Sequence, residues 1–148
     1  MKRGLTLIAA CSIAPTLAFG DIMTVEAEGS VSAVMDRLES AVDEAGATVF
    51  ARVDHGAGAE AAGLELQDAQ LLIFGNPQLG TQAMQDDIRA GLQLPLRMLV
   101  YGDDSGIAQI AWQMPADMFD GLDIDEDAEY VGRMEDALTK FAEAAAGK

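Results

Sequence analysis

Histidine is the side chain best suited to chemistry near neutral pH, and this chain of 148 residues has one, His55, in the run Arg52-Val53-Asp54-His55. An imidazole there could serve as general acid or base, or as a metal ligand. Asp54 is the adjacent group that could orient the ring, and Arg52 offers a cation to an anionic group. Further on, Phe74-Gly75-Asn76-Pro77 supplies a side-chain amide, Gly80-Thr81 a hydroxyl, and Trp112 an indole with one N–H donor on an apolar body. Arg52, Asp54, His55, Asn76, Thr81 and Trp112 therefore form the candidate ligand-binding set, and His55 is the one candidate catalytic residue. The stretch from Phe50 to Leu96 holds most of this set.

Each member also has a structural explanation. A solitary histidine at a strand end is commonly a hydrogen-bonded structural residue, and Arg52 has many acids to pair with. Asn76 and Pro77 fit a turn, since Asn tolerates turn conformations and Pro pre-sets its backbone angle. Thr81 fits the N-cap of a short helix better than it fits a nucleophile, which would need an adjacent base. A metal site at His55 would require Asp54 or Met84 to be brought in by folding, and no spacing demands one. The acidic run from Asp120 to Glu129 lacks the ordered oxygen-ligand spacing of a calcium loop, and nucleotide-loop, serine-elbow and paired zinc motifs are absent from the sequence. The sequence thus requires no cofactor and identifies no metal site.

Periodicity indicates the elements that must position these groups. Ile22 to Glu28 alternates as an edge or half-buried strand does. Ser30 is an N-cap, and Val31, Val34, Met35, Leu38, Val42 and Ala45 recur at helical spacing until Gly46 supplies a stop. Thr48 to His55 reads as a strand, which would send Asp54 and His55 to opposite faces. Gly56 to Gly63 fits a loop or short helix. Ala69 to Phe74 is a short buried strand, and a helix capped by Thr81 carries Ala83, Met84 and Ile88 inward to a stop at Gly91. Leu96 to Tyr101 and Ile107 to Gln113 make a hairpin around Asp103-Asp104-Ser105-Gly106. Asp123, Asp125, Glu126 and Asp127 load the start of a last helix whose inner stripe is Val131, Met134, Leu138, Phe141 and Ala145. The expected class is α+β: an antiparallel sheet of about four to five strands, in β-α-β4-α order, with an N-terminal and a long C-terminal helix on one face.

Residues 1–20 read as a secretory signal. A basic start at Lys2-Arg3 precedes an apolar run from Leu5 to Leu17, and Ala18-Phe19-Gly20 puts small residues before a cut at Asp21. The apolar run is too short to span a bilayer, which takes about 20 residues. Ile8-Ala9-Ala10-Cys11 resembles a lipobox and gives a second processing route, lipid attachment at Cys11. Cleavage after Gly20 leaves one domain, residues 21–148, without cysteine, in the periplasm or outside the cell. That excludes disulfides and cysteine-ligated zinc. All 25 acidic residues follow Gly20, while two of the nine Lys and Arg precede it, so the mature balance is 7 basic against 25 acidic, or −18. Nucleic acid and anionic membrane surfaces are repelled by such a chain, and a basic protein is the macromolecular partner it would attract.

Taken together, Arg52-Val53-Asp54-His55, Leu71-Leu72-Ile73-Phe74-Gly75-Asn76-Pro77, Gly80-Thr81, Met84 and Leu92-Gln93-Leu94-Pro95-Leu96 resemble the bacterial and archaeal domain-of-unknown-function family 302 over roughly Val31 to Pro115. The resemblance implies a small α+β fold of the TATA-binding-protein-like, helix-grip type, often a homodimer, with no established activity. Two departures stand out: Asp86-Asp87-Ile88 where the family pattern has Asn-Pro, and Trp112-Gln113-Met114-Pro115 where it has Tyr-Asn-x-Pro.

The expectation from sequence is an exported, non-catalytic binding module holding a small ligand or protein partner near His55, Asn76 and Trp112. An enzyme using His55 as acid, base or metal ligand on a small metabolite is the alternative, and a structural homodimer the third reading.

Overall fold

Alternating and helical apolar patterns become five strands and five helices in a computed structural model that describes residues 22–147. The signal segment, Cys11 and the junction between Gly20 and Asp21 lie outside the described residues. Strand β1 (Ile22–Ala27) leads to helix α1 (Val31–Glu44), followed by β2 (Thr48–Asp54), the short α2 (His55–Ala61) and β3 (Ala69–Gly75). Helix α3 (Pro77–Asp86) and a 3-10 turn at Ile88–Leu92 intervene before β4 (Leu96–Gly102) and β5 (Ala108–Gln113). The short α4 (Pro115–Met118) and long α5 (Glu129–Ala146) complete the chain. The sheet is antiparallel throughout, in the order β1-β5-β4-β3-β2.

Period-two alternation gives the sheet a covered and an open face. Leu96, Met98 and Val100 of β4 are buried, while Arg97 between them is exposed and Leu99 and Tyr101 are half-buried. Leu72 and Phe74 of β3 and Ile110 of β5 join the covered side, where Val34, Met35, Leu38 and Val42 of α1 and Val131, Met134 and Leu138 of α5 meet them. Each of these side chains, fully buried, contributes about 1.5–3 kcal/mol relative to exposure. Both amphipathic helices pack side by side on this one face, as the pattern predicts.

Caps fix where the long helices begin and end. Ser30 accepts a hydrogen bond from the Ala33 N–H, as expected of an N-cap. Gly46, with φ +72°, follows the C-cap of α1 in the left-handed conformation that glycine adopts freely. Arg37 donates from Nε to the Ala145 carbonyl (2.9 Å) and from its terminal nitrogen to the Glu28 carbonyl (2.6 Å). A cation thus sits on the C-terminal end of α5 and ties it to the turn before α1.

Three expectations are corrected. Helix α3 begins at Pro77, because Asn76 caps it through its side chain and proline is pre-organised for the first helical position. Thr81 therefore lies within the helix and caps nothing. The helix also stops at Asp86, ahead of Gly91, and Asp87 caps the separate 3-10 turn that follows. Finally, α5 starts at Glu129, so Asp123, Asp125, Glu126 and Asp127 belong to the preceding loop.

Candidate functional site

The connection between β3 and β4 is long for two strands that lie side by side. Phe74 pairs with Leu96, yet the chain between them leaves the end of the sheet through Gly75, runs along α3 and the 3-10 turn, and returns across a cis Leu94–Pro95 bond. This excursion arches over the sheet end without filling the space beneath. A cavity of about 360 Å3 remains, lined from the excursion by Pro77, Leu79, Met84 and Leu94, among others, and from α5 by Met134, Ala137 and Phe141. Ala45 and Ala47, around the turn between α1 and β2, complete one wall.

The walls are apolar and partly aromatic. Phe74 and Phe141 meet edge to face, with ring centroids 5.6 Å apart and planes at 77°, the arrangement favoured by the ring quadrupoles. Phe50 forms the open side and is 56% exposed. It stands at a break in the β2–β3 register between Val49 and Ala51, so it lies outside the regular pairing. Glycines at two positions bring the backbone close to the walls, the tighter approach being at Gly91. A Cβ on Gly91 would come within 3.3 Å of the Met84 sulfur, and one on Gly75 within 3.4 Å of the Phe50 ring.

Asn76 and Thr81 are the lining residues with polar side chains. Asn76 Oδ1 accepts from the Gln78 N–H at 2.9 Å, which leaves the side-chain NH2 as a donor. No lining residue among the described residues is charged.

Two links hold the excursion to the body of the molecule. The Tyr130 hydroxyl donates to Asp86 Oδ2 at 2.6 Å, joining the end of α3 to the start of α5. Burial, reinforced by this bond and by the negative charge of Asp86, pushes the Tyr130 hydroxyl up to about 12. One residue further on, Asp87 is buried and accepts from Arg89 Nε (3.0 and 3.1 Å), from the terminal nitrogen of Arg89 (2.6 Å), and from the backbone N–H groups of Arg89 and Asp123. The Arg89 side chain, followed by the two N–H groups, holds the Asp87 carboxyl well below the usual carboxylate range.

The residues singled out from sequence divide into three groups. Asn76 and Thr81 line the cavity. Arg52, Asp54 and His55 lie towards the other end of β2, since Thr48 pairs with Gly75 beside the cavity while Asp54 pairs with Gln70. Arg52 is engaged by Asp36 (2.7 Å), Glu39 (3.1 Å) and Gln70 Oε1 (2.7 and 3.0 Å). Although burial opposes its charge, the two carboxylates outweigh that and raise the guanidinium pKa. Asp54 caps α2 by accepting from the Ala57 N–H at 2.8 Å, and His55 is the exposed first residue of that helix. The chain turns at Asp54, so the expected strand alternation does not extend to His55. Trp112 is in β5 on the helix-covered face, 8% exposed, and Nε1 has no hydrogen-bond partner among the described residues. It pairs with Met23 at the edge of the sheet opposite β2. His55, Asn76 and Trp112 are therefore not brought together.

Sequence reasoning missed the aromatic and sulfur walls at Phe50, Phe74, Met84, Met134 and Phe141. The available signal was the run of Gly75, Gly80 and Gly91 among apolar residues, which marks a backbone that other groups approach closely. Among the described residues, no group of three His, Cys, Asp or Glu side chains is arranged to hold a metal ion. No helix there is long and apolar enough to cross a membrane.

Comparison with known proteins adds a family and two kinds of relative. The model of the family described as "Domain of unknown function DUF302" matches residues 23–145. A solved structure, "Crystal structure of uncharacterized conserved protein DUF302 from Bacillus stearothermophilus", has a TM-score of 0.77 and covers 86% of this chain and 98% of its own. At 19% identity, that likeness concerns the fold. Fluoride-specific ion channel FluC 1 of Brucella suis biovar 1 (strain 1330) is 46% identical over 95 residues, 64% of this chain and 37% of the channel protein. The FluC 1 protein of Brucella abortus biovar 1 (strain 9-941) matches at 46% over 95 residues, covering 35% of its length. The chain thus spans about a third of the curated relatives it matches.

Proposed function

The chain belongs to the DUF302 family, a family without an assigned activity, and we propose that it is an exported, non-catalytic binding module that holds a small ligand in the cavity beneath the β3–β4 excursion. The observation that carries this reading is the cavity itself, about 360 Å3 and apolar, with Asn76 and Thr81 as its polar side chains. Such a composition is that of a small-molecule site, in which apolar walls give affinity and a few polar groups give orientation. Catalysis by acid–base or nucleophilic routes would call for a titratable group within reach of the ligand, and the lining residues include no histidine, cysteine or carboxylate. His55 is towards the far end of β2 and has no part in this reading. Native mass spectrometry of gently purified protein is the test. A retained small-molecule mass, or a raised melting temperature with a member of a metabolite panel, is the expected result. A clean protein mass with no thermal shift across the panel would overturn the proposal.

Export rests on residues 1–20 and is tested by the mass of the mature protein. A chain beginning at Asp21 is expected, and a lipidated Cys11 at the N-terminus would replace that assignment.

The curated relatives favour a second reading, an accessory domain acting beside an ion-transporting membrane protein. Direct capture of fluoride is opposed by the net charge of −16. Co-purification of a tagged copy with a membrane channel from its own cells would support this reading, and recovery without any membrane protein would remove it.

A further inference from the structure

We infer that the cavity takes an uncharged molecule with a flat aromatic body and one hydrogen-bond-accepting group, and rejects the same body when it carries a negative charge. This rests on the binding-module reading and names the class of ligand that such a module would hold.

The aromatic preference follows from the walls. Phe74 and Phe141 present an edge and a face to each other at 77°, Phe50 adds a third ring at the open side, and the Met84 and Met134 thioethers lie among them. A planar ring entering this space finds partners for both edge and face, and thioether sulfur contacts aromatic rings favourably while its flexible chain adapts to their outline. A volume of about 360 Å3 is near the lower end of ligand sites, which run from about 300 to 1,000 Å3. It suits a fused or linked pair of rings better than a long acyl chain.

The polar requirement comes from Asn76. Its oxygen is committed to the Gln78 N–H, so the group it turns to a ligand is the NH2, a donor that asks for a carbonyl, ether or phenolic oxygen. Thr81, five residues further along the chain, also lines the cavity, and its hydroxyl can donate or accept.

Charge rejection has two sources. A buried charge without a partner is strongly disfavoured, and the lining residues hold no cation to receive it. Two arginines are engaged by carboxylates away from the lining: Arg89 by Asp87, and Arg52 by Asp36 and Glu39 towards the far end of β2. The overall charge of −16 adds a repulsive field for any anion approaching the mouth.

Two fluorescent probes with the same ring system separate these points. 2-Acetyl-6-(dimethylamino)naphthalene is uncharged and offers a carbonyl acceptor, and 6-(dimethylamino)-2-naphthoate is its carboxylate counterpart, charged at neutral pH. Each is titrated into the full chain and into two cavity-filling variants, Ala137→Phe on α5 and Gly80→Leu on α3, with melting curves recorded to establish folding. We expect saturable binding of the uncharged probe at one per chain, at least tenfold tighter than the carboxylate, and a tenfold or greater loss in each folded variant. Equal affinity for the two probes, with both lost in the variants, would overturn charge rejection and leave the binding module standing. Probe fluorescence unaffected by either variant would overturn both readings. If neither probe binds while native mass spectrometry finds a retained small molecule, the aromatic class alone is overturned.

Discussion

Asn76 performs two tasks with one side chain, and they can be separated by substitution. Asn76→Ala removes both the cap of α3 and the amide donor, so a stability loss of about 1 kcal/mol in denaturant titration is expected, together with weaker binding of the uncharged probe. Asn76→Asp retains the capping oxygen but sets a carboxylate against the cavity. Stability near that of the parent with lost probe binding is the expected outcome, and unchanged binding would show that the side chain does not reach the ligand. At His55 the expectation is silence: His55→Ala should alter stability by less than about 0.5 kcal/mol, as exposed substitutions generally do, and leave probe titrations unchanged. The residue scale is also where the sequence was most uneven. Ser30 and Gly46 were legible because a cap depends on its immediate neighbours. The start of α3 was read at Thr81, whereas Asn76 caps the helix and Pro77 begins it. Arg52 and Trp112 could not be judged locally, since their surroundings come from distant strands and helices.

Among the elements, the β3–β4 excursion depends on its two links for its position over the cavity. The hydroxyl of Tyr130 is held protonated to about 12, above its ordinary 10. The raised value means that its stabilising contribution is complete below pH 10 and is lost as pH rises towards 12. Tyrosinate absorbance should include a step near pH 12 that is missing in Tyr130→Phe, and a step at ordinary pH in its place would sever the link between Asp86 and α5. Asp87 works in the opposite direction. Its depressed pKa stabilises the fold above the ordinary carboxylate range, about pH 4, and that contribution disappears as pH falls through the folded-state value. Asp87→Asn should therefore melt at a lower temperature than the parent at neutral pH, with the gap narrowing on acidification below about 4. An equal gap at all pH values would mean that the asparagine fails for reasons of shape. Periodicity made the long helices and the β4–β5 hairpin readable, but the excursion was harder. Acidic residues before α5 look like a charged helix start when they form the loop whose Asp123 N–H reaches Asp87.

For the whole molecule, a charge of −16 on 148 residues makes self-repulsion a standing cost to the compact state. Melting temperature should rise as sodium chloride is increased from low to physiological ionic strength, where the screening length shortens to about 8 Å. A flat response would show that the acids are already balanced locally. The α+β class and β-α-β4-α order were legible because each element carries its own period. The strand order and the cavity were not, because the walls are drawn from the α1–β2 turn, the bulge in β2, the excursion and α5, segments that touch through folding alone. The core supports this space as well as the fold. Phe74→Ala should cost about 3–5 kcal/mol and widen the cavity from below.

The break in pairing at Phe50 has a consequence for how relatives of this chain can diverge. A residue outside the β2–β3 ladder carries no register, so exchanging it leaves the neighbouring pairs Val49–Phe74 and Ala51–Ile73 where they are. The same residue forms the open side of the cavity. Substitution at this position can therefore alter one side of the entrance, and with it what is admitted, while the sheet beneath keeps its pairing.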